Sequence, residues 1–229
     1  MRIVTFLLML FVCVFNVTSA DATHYPSARI ARYATNTPRS VENNLNTLTK
    51  HLISPLDDDY DKAKVIAFWI ASHINYDKYL YNNGNVTKLM KTYMLQSPDE
   101  LLESRVGICS EFAMLFDRMS KIAGIRSKIV NGYAYPVKLR LRNKEKRNYA
   151  HAWNYFLYNN KKIYVDTTFM AGGTTSPTRR VTDISHKRAL RKVERSNKYE
   201  SQVNNFNEYY FDFNYRDELG KMNYKHEEK

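Results

Sequence analysis

Three residues have the types and the order that acyl transfer requires: Cys109 in RVGICSEFAMLF, His151 in AHAWNYF and Asp166 in VDTTF. A thiolate attacks an acyl carbon, a histidine activates the thiol and later protonates the leaving group, and a carboxylate fixes the imidazole tautomer. Singly, each has an ordinary explanation. Free cysteine is among the most buried residue types, a strand histidine beside a tryptophan usually packs structurally, and an aspartate can cap a turn. The case rests on their order and on the elements that carry them.

Cys109 falls at a helix start. Phe112, Leu115, Phe116, Met119 and Ile122 make an apolar stripe over 110–123, and Gly124 stands where a glycine ends a helix. Gly107 is placed to make the tight turn that feeds the chain in. Unpaired N–H groups and partial positive charge at that end stabilise a thiolate and lower its pKa. A cysteine on the stripe itself would read as core.

AHAWNYFLYNNKKIYVDTTF reads as a β-hairpin about Asn159-Asn160. With those two residues as the turn, Tyr158 faces Lys161, Trp153 faces Asp166 and His151 faces Thr168. Side chains 151, 153, 166 and 168 then share one face. His151 and Asp166 become diagonal neighbours, roughly 7–8 Å apart along the backbone and within reach of long side chains.

Further elements must frame these residues. DDDYDKAKVIAFWIASHINYD predicts a helix, with Asp57 to Asp59 at its positive end and Ala63, Ile66, Ala67, Ile70 and Ile74 at helical spacing. Ser97-Pro98-Asp99-Glu100 opens another helix. Residues 127–136 have strand composition, and 23–45 read as a polar, extended arm. Asn207 to Gly220 supplies a last strand or a wall beside the site.

The 229 residues are 44% hydrophobic and 14% aromatic, which suits one substantial core and excludes a disordered chain. Arg2, an apolar run from Ile3 to about Val14 and small residues at Ala20 and Ala22 form a secretory signal pattern, so a periplasmic or secreted protein is expected. Removing that leader removes Cys13 and leaves Cys109 as a single thiol in an oxidising compartment. No later stretch is apolar enough to span a bilayer.

The formal charge is +12. Residues 138–147 hold six basic side chains against Glu145, and 179–198 hold eight against Asp183 and Glu194. Such runs suit an anionic or envelope-associated protein or peptide substrate, or are simply solvated loops. No nucleic-acid-binding module is present, and no nucleic-acid partner is expected. His24, His51, His73, His186 and His226 show no metal-ligand spacing, and Asp57, Asp58, Asp59 and Asp61 read as helix capping. No metal and no cofactor is therefore expected.

Cys109 in RVGICSEFA, His151 in HAWN and Asp166 in VDTTF resemble the catalytic blocks of the transglutaminase-like superfamily. Trp69 to Asp77, WIASHINYD, resembles the helix preceding those blocks. The resemblance is nearest the branch of bacterial homologues and kyphoscoliosis-type peptidases and covers about 58–170. It implies an α+β papain-like core, with the nucleophile-bearing helix packed on an antiparallel sheet. It also implies a thioester acyl-enzyme resolved by water or by an amine. The final block departs from the family's usual ending, with Phe169 where tryptophan is common, and His73 stands where asparagine is frequent. For the oxyanion the Cys109 N–H is one donor and Gln96 a candidate for the other. RVGICSEF also resembles a stretch of peptide N-glycanases, so glycan-amide hydrolysis is an alternative, as is an inactive binding or scaffold module. The expected organisation is a leader (1–22), an N-terminal arm (23–56), a transglutaminase-like core (57–170) and a basic C-terminal extension (171–229) completing or covering it.

Overall fold

The segment Asp59–His73 is apolar almost all round, and a helix of that kind must be enclosed by other elements. In the structure, a computed structural model that describes residues 24–25, 27–77, 95–136, 150–171, 208–213 and 222–226, this helix is the hub. In chain order the elements are α1 (Ser27–Thr35), α2 (Leu45–Ile53), α3 (Asp59–His73), β1 (Asn75–Tyr76), α4 (Pro98–Ser104), β2 (Val106–Gly107), α5 (Cys109–Ile122), β3 (Ser127–Pro136), β4 (Ala150–Tyr158), β5 (Lys161–Val165), α6 (Thr167–Met170) and β6 (Met222–His226). Strands β5-β4-β3-β6 form an antiparallel sheet, and β1 pairs with β2 in a short parallel pair. This is the expected α+β architecture, with α5 packed against α3 and β4. No helix among the described residues is long and apolar enough to cross a membrane.

Local chemistry sets the ends of these elements. Asp58 caps α3, its Oδ1 accepting the N–H groups of Tyr60 at 2.8 Å and Asp61 at 3.3 Å. Ser97 and Glu100 close a reciprocal capping box on α4. Gly124 ends α5 at φ +77°, with Gly124 N–H donating to Lys121 O and Ile125 N–H to Ser120 O, the paired bonds of a left-handed helix stop. The hairpin turns on Asn159 and Asn160, both left-handed (φ 49° and 61°), and Tyr158 faces Lys161 as the spacing predicted.

Three features differ from the sequence expectations. The extended arm over 23–45 is helical instead: Ile30 and Ala34 of α1 and Leu45, Leu48 and Leu52 of α2 are buried in the common core. Their spacings of three, four and seven residues are helical, but the many polar residues between them mask the pattern. Second, β5 stops at Val165, so Asp166 faces no strand partner and instead caps the single turn of α6. Third, Gly107 makes no turn. It pairs with Tyr76 in the parallel ladder, where a Cβ would come within 2.7 Å of Leu101 Cδ1 and 2.8 Å of Glu111 Oε2. Close packing, not backbone freedom, requires glycine there.

Residues 208–213 run beside β5. Val165 bridges Phe211, Asp166 N–H donates to Tyr210 O at 2.9 Å, and Asp212 N–H to Tyr164 O at 2.8 Å. Tyr210, Phe211 and Phe213 are buried. With β6 on the other edge, the C-terminal region flanks both sides of the sheet. The expected leader and both basic runs lie outside the described residues.

Leu101 and Glu111 are themselves fully buried, so neither side chain has room to retreat from an added methyl. Gly107→Ala is expected to cost about 1–3 kcal/mol by overpacking. That should lower the melting temperature by several degrees, read by thermal denaturation against the parent protein.

Candidate active site

Cys109 is the first residue of α5 and is partly exposed. Its backbone is set by a buried carboxylate. Glu111 Oε2 accepts the Ile108 N–H at 2.9 Å, and Glu111 Oε1 accepts the Gln96 N–H at 2.7 Å. Ile108 offers no capping side chain, so Glu111 does the capping from inside the first turn. One residue upstream of β2, Arg105 takes a left-handed conformation at φ 60° and pairs with Glu42 at 3.0 Å. Its guanidinium lies 4.9 Å over the Trp69 ring. Asn75 N–H donates to Arg105 O and Asp77 N–H to Gly107 O, which ties the strand before Cys109 to the end of α3.

His151 comes from β4. Its Nε2 is 2.7 Å from Asp166 Oδ2, and its ring stacks on Phe169 at 4.5 Å and on Trp153 at 5.9 Å. Asp166 is completely buried; its Oδ1 accepts the Phe169 N–H at 3.0 Å while Oδ2 serves the imidazole. His151 and the Ala152 backbone N–H lie close enough to the Cys109 sulfur to lower its pKa. With Nε2 committed to Asp166, Nδ1 is the ring nitrogen that faces the thiol. Cys109, His151 and Asp166 are therefore brought together in one cluster of interacting groups.

The electrostatics run the same way. Burial alone would push the Cys109 thiol up, but the hydrogen bond and charge of His151, helped by the Ala152 N–H, hold it below its ordinary value. Burial would likewise lower His151, yet the Asp166 charge and hydrogen bond raise it to about 10. The pair is thus poised as thiolate and imidazolium.

Gln96 is placed differently from its expected role. Its side-chain N–H groups point at Val106 O (2.9 Å) and Glu111 Oε1 (3.4 Å), so in this arrangement it holds the Cys109 turn and has no hydrogen to spare for an oxyanion. The Cys109 N–H, in the first turn of α5, has no acceptor within the helix. His73 is structural: buried, stacked on Trp69 at 4.7 Å and donating from Nδ1 to Trp69 O at 2.9 Å. Burial lowers it to about 4, which keeps it neutral. Two contributors were not read from sequence. Glu111, at the third helical position, carried the usual signal of a capping acid. Phe169 was visible only as a departure from a motif, yet it covers one face of the imidazole.

Comparison with known proteins gives the family. A sequence model described as the transglutaminase-like superfamily matches residues 46–167, more than half of the chain. The kyphoscoliosis peptidase of Mus musculus is 26% identical over 143 residues, 62% of this chain and 21% of that protein. The Homo sapiens kyphoscoliosis peptidase is 25% identical over 133 residues, 58% of this chain and 19% of that protein. The chain thus spans about a fifth of the length of these relatives. Among solved structures, a candidate cysteine protease from Cytophaga hutchinsonii has a TM-score of 0.41 and 18% identity, covering 63% of this chain and 45% of that one.

The influence of His151 and Asp166 on the Cys109 thiol makes a pH prediction. Alkylation of Cys109 by iodoacetamide, followed by stopped sampling and mass spectrometry, should stay fast at pH values where an ordinary thiol is protonated. It should slow only as acid protonates the thiolate. In Asp166→Asn the cap to Phe169 is kept but the charge holding the imidazolium is lost. The two contributions of His151 to the thiol outweigh the direct repulsion from Asp166, so the profile should move to higher pH. An unmoved profile would refute the coupling.

Proposed function

From the premise that this chain belongs to the transglutaminase-like superfamily, we propose that it is an exported thiol enzyme acting at amide or peptide bonds of a protein or peptide. The observation that carries this reading is at His151, with Nε2 2.7 Å from a fully buried Asp166, beside a partly exposed Cys109 whose thiol the same imidazole holds below its ordinary pKa. A buried carboxylate, an imidazole and an accessible sulfur in series is the arrangement a nucleophile, its base and its orienter need.

The steps follow from that order. The Cys109 thiolate attacks the carbonyl carbon, a C–S bond forms, and the carbonyl electrons move to oxygen beside the Cys109 N–H. His151, protonated through its pairing with Asp166, gives its proton to the departing nitrogen as the C–N bond breaks. This leaves a thioester on Cys109 and a neutral imidazole. His151 then takes a proton from an incoming water or amine, whose attack expels the thiolate and restores the ion pair. Asp166 stays ionised throughout and keeps the ring in register.

Hydrolysis is the favoured outcome, since the two curated relatives are peptidases by name. Export rests on the Arg2-to-Ala22 leader pattern, and the net charge of +12 favours anionic substrates.

A three-way assay tests the reading: peptide release from a labelled protein, ammonia release from glutamine peptides, and incorporation of a fluorescent amine. At least one product should form, and Cys109→Ala should lower its rate by about 10³-fold or more. Acid quenching should trap the acyl group on the Cys109 peptide. His151→Gln should remove the trapped species without unfolding the protein. Turnover that survives Cys109→Ala, or no product in any arm, would sink the proposal in favour of a binding module.

A further inference from the structure

Far from Cys109 in sequence, the start of the described chain meets the first turn of α3. His24 Nδ1 lies 3.6 Å from Asp58 Oδ1 and 3.7 Å from Asp61 Oδ1, and the three atoms lie within 4.8 Å of one another. These separations are too long for N–H···O hydrogen bonds. The two His24 separations are near the edges of a coordination polyhedron, in which ligands about 2.0–2.2 Å from one ion, set at tetrahedral angles, stand roughly 3.4 Å apart. A simple imidazolium–carboxylate pair would draw the ring onto one oxygen. Here the ring is nearly equidistant from two.

A second observation points the same way. Asp61 is only 1% exposed; its Oδ2 accepts the Tyr25 N–H at 2.9 Å, but its Oδ1, facing His24, has no hydrogen-bond partner. A buried carboxylate oxygen left unmet is costly, and a cation removes that cost. The neighbours hold the ligands in place. Tyr60 stacks on the His24 ring at 4.3 Å, and the Tyr158 hydroxyl donates to Asp58 Oδ2 at 2.8 Å.

We propose that His24, Asp58 and Asp61 bind one divalent cation of the zinc class, pinning the chain ahead of α1 to α3 beside the hairpin tip. One imidazole nitrogen with two carboxylate oxygens suits zinc or cobalt, whereas calcium and magnesium prefer all-oxygen shells. His24 and Asp61 carry the affinity, because Asp58 Oδ1 is already shared with two backbone N–H groups as the α3 cap. His24 stands 34 residues before Asp58 and 37 before Asp61, so no local spacing rule joins it to them, and the expectation of no metal is revised on this geometry. The site is independent of the chemistry at Cys109.

The test uses chelator-treated full chain carrying Cys13→Ala and Cys109→Ala, so that no thiol can take the metal. Cobalt(II) chloride should give visible absorption bands of a low-coordinate site, saturating at one equivalent and bleached by zinc chloride. Zinc should also raise the melting temperature. His24→Gln, at a residue whose side chain is 39% exposed, should abolish the bands and the thermal shift while leaving circular dichroism unchanged; Asp61→Asn should do the same. Absent cobalt bands with a zinc-insensitive melting temperature would overturn the site. So would equal binding by His24→Gln, which decides alone if Asp61→Asn fails to fold.

Discussion

Asp166 is wholly removed from solvent, and a carboxylate in that position is tolerated only when both of its oxygens are met. One oxygen closes the first turn of α6 through the Phe169 N–H, and the other holds the His151 ring. The residue's own backbone N–H is taken by Tyr210 from the far end of the chain. These three bonds fix where β5 ends, where the imidazole sits and where the C-terminal segment docks. Because capping and orienting share one side chain, the placement of Phe169 over the ring follows from the same interaction that fixes the tautomer.

A second buried acid does the matching work on the other side of the site. Glu111 gathers the Ile108 and Gln96 N–H groups under the first turn of α5, and Gly107 exists as glycine because that carboxylate and Leu101 occupy the space. Arg105, Glu42, Trp69 and His73 form the layer beneath, with His73 kept neutral by burial. Two fully buried carboxylates thus position Cys109 and His151 separately, each from its own element.

Much of this was readable before any coordinates. The helix start at Cys109, the glycine stop at Gly124 and the Asn-Asn hairpin follow from local rules, and they place Cys109 and His151 on the expected elements. The register argument put His151 near Asp166 for a partly different reason than the one observed. The hairpin parity held through Asn154 opposite Val165, and then a helical turn replaced the predicted strand. Sequence failed where long-range packing decides. The N-terminal helices are too polar on average to announce themselves, and they form because α3 offers them an apolar wall. Gln96 looked like an amide available for catalysis, and only the positions of Val106 O and Glu111 show that it is occupied.

The hydrogen bond from Asn154 Nδ2 to Ala113 O ties β4 directly to α5, three residues from His151 on one element and four from Cys109 on the other. The thiol rides on the helical layer and the imidazole on the sheet layer, so the distance between them is set by how the two layers slide. Such a seam behaves like a vernier. A displacement of a few tenths of an ångström, too small to alter the core's free energy appreciably, still changes the reach between sulfur and ring. Substitutions along this seam therefore register in the reactivity of Cys109 long before they register in heat resistance, and that reactivity becomes the finer gauge of how the two layers fit.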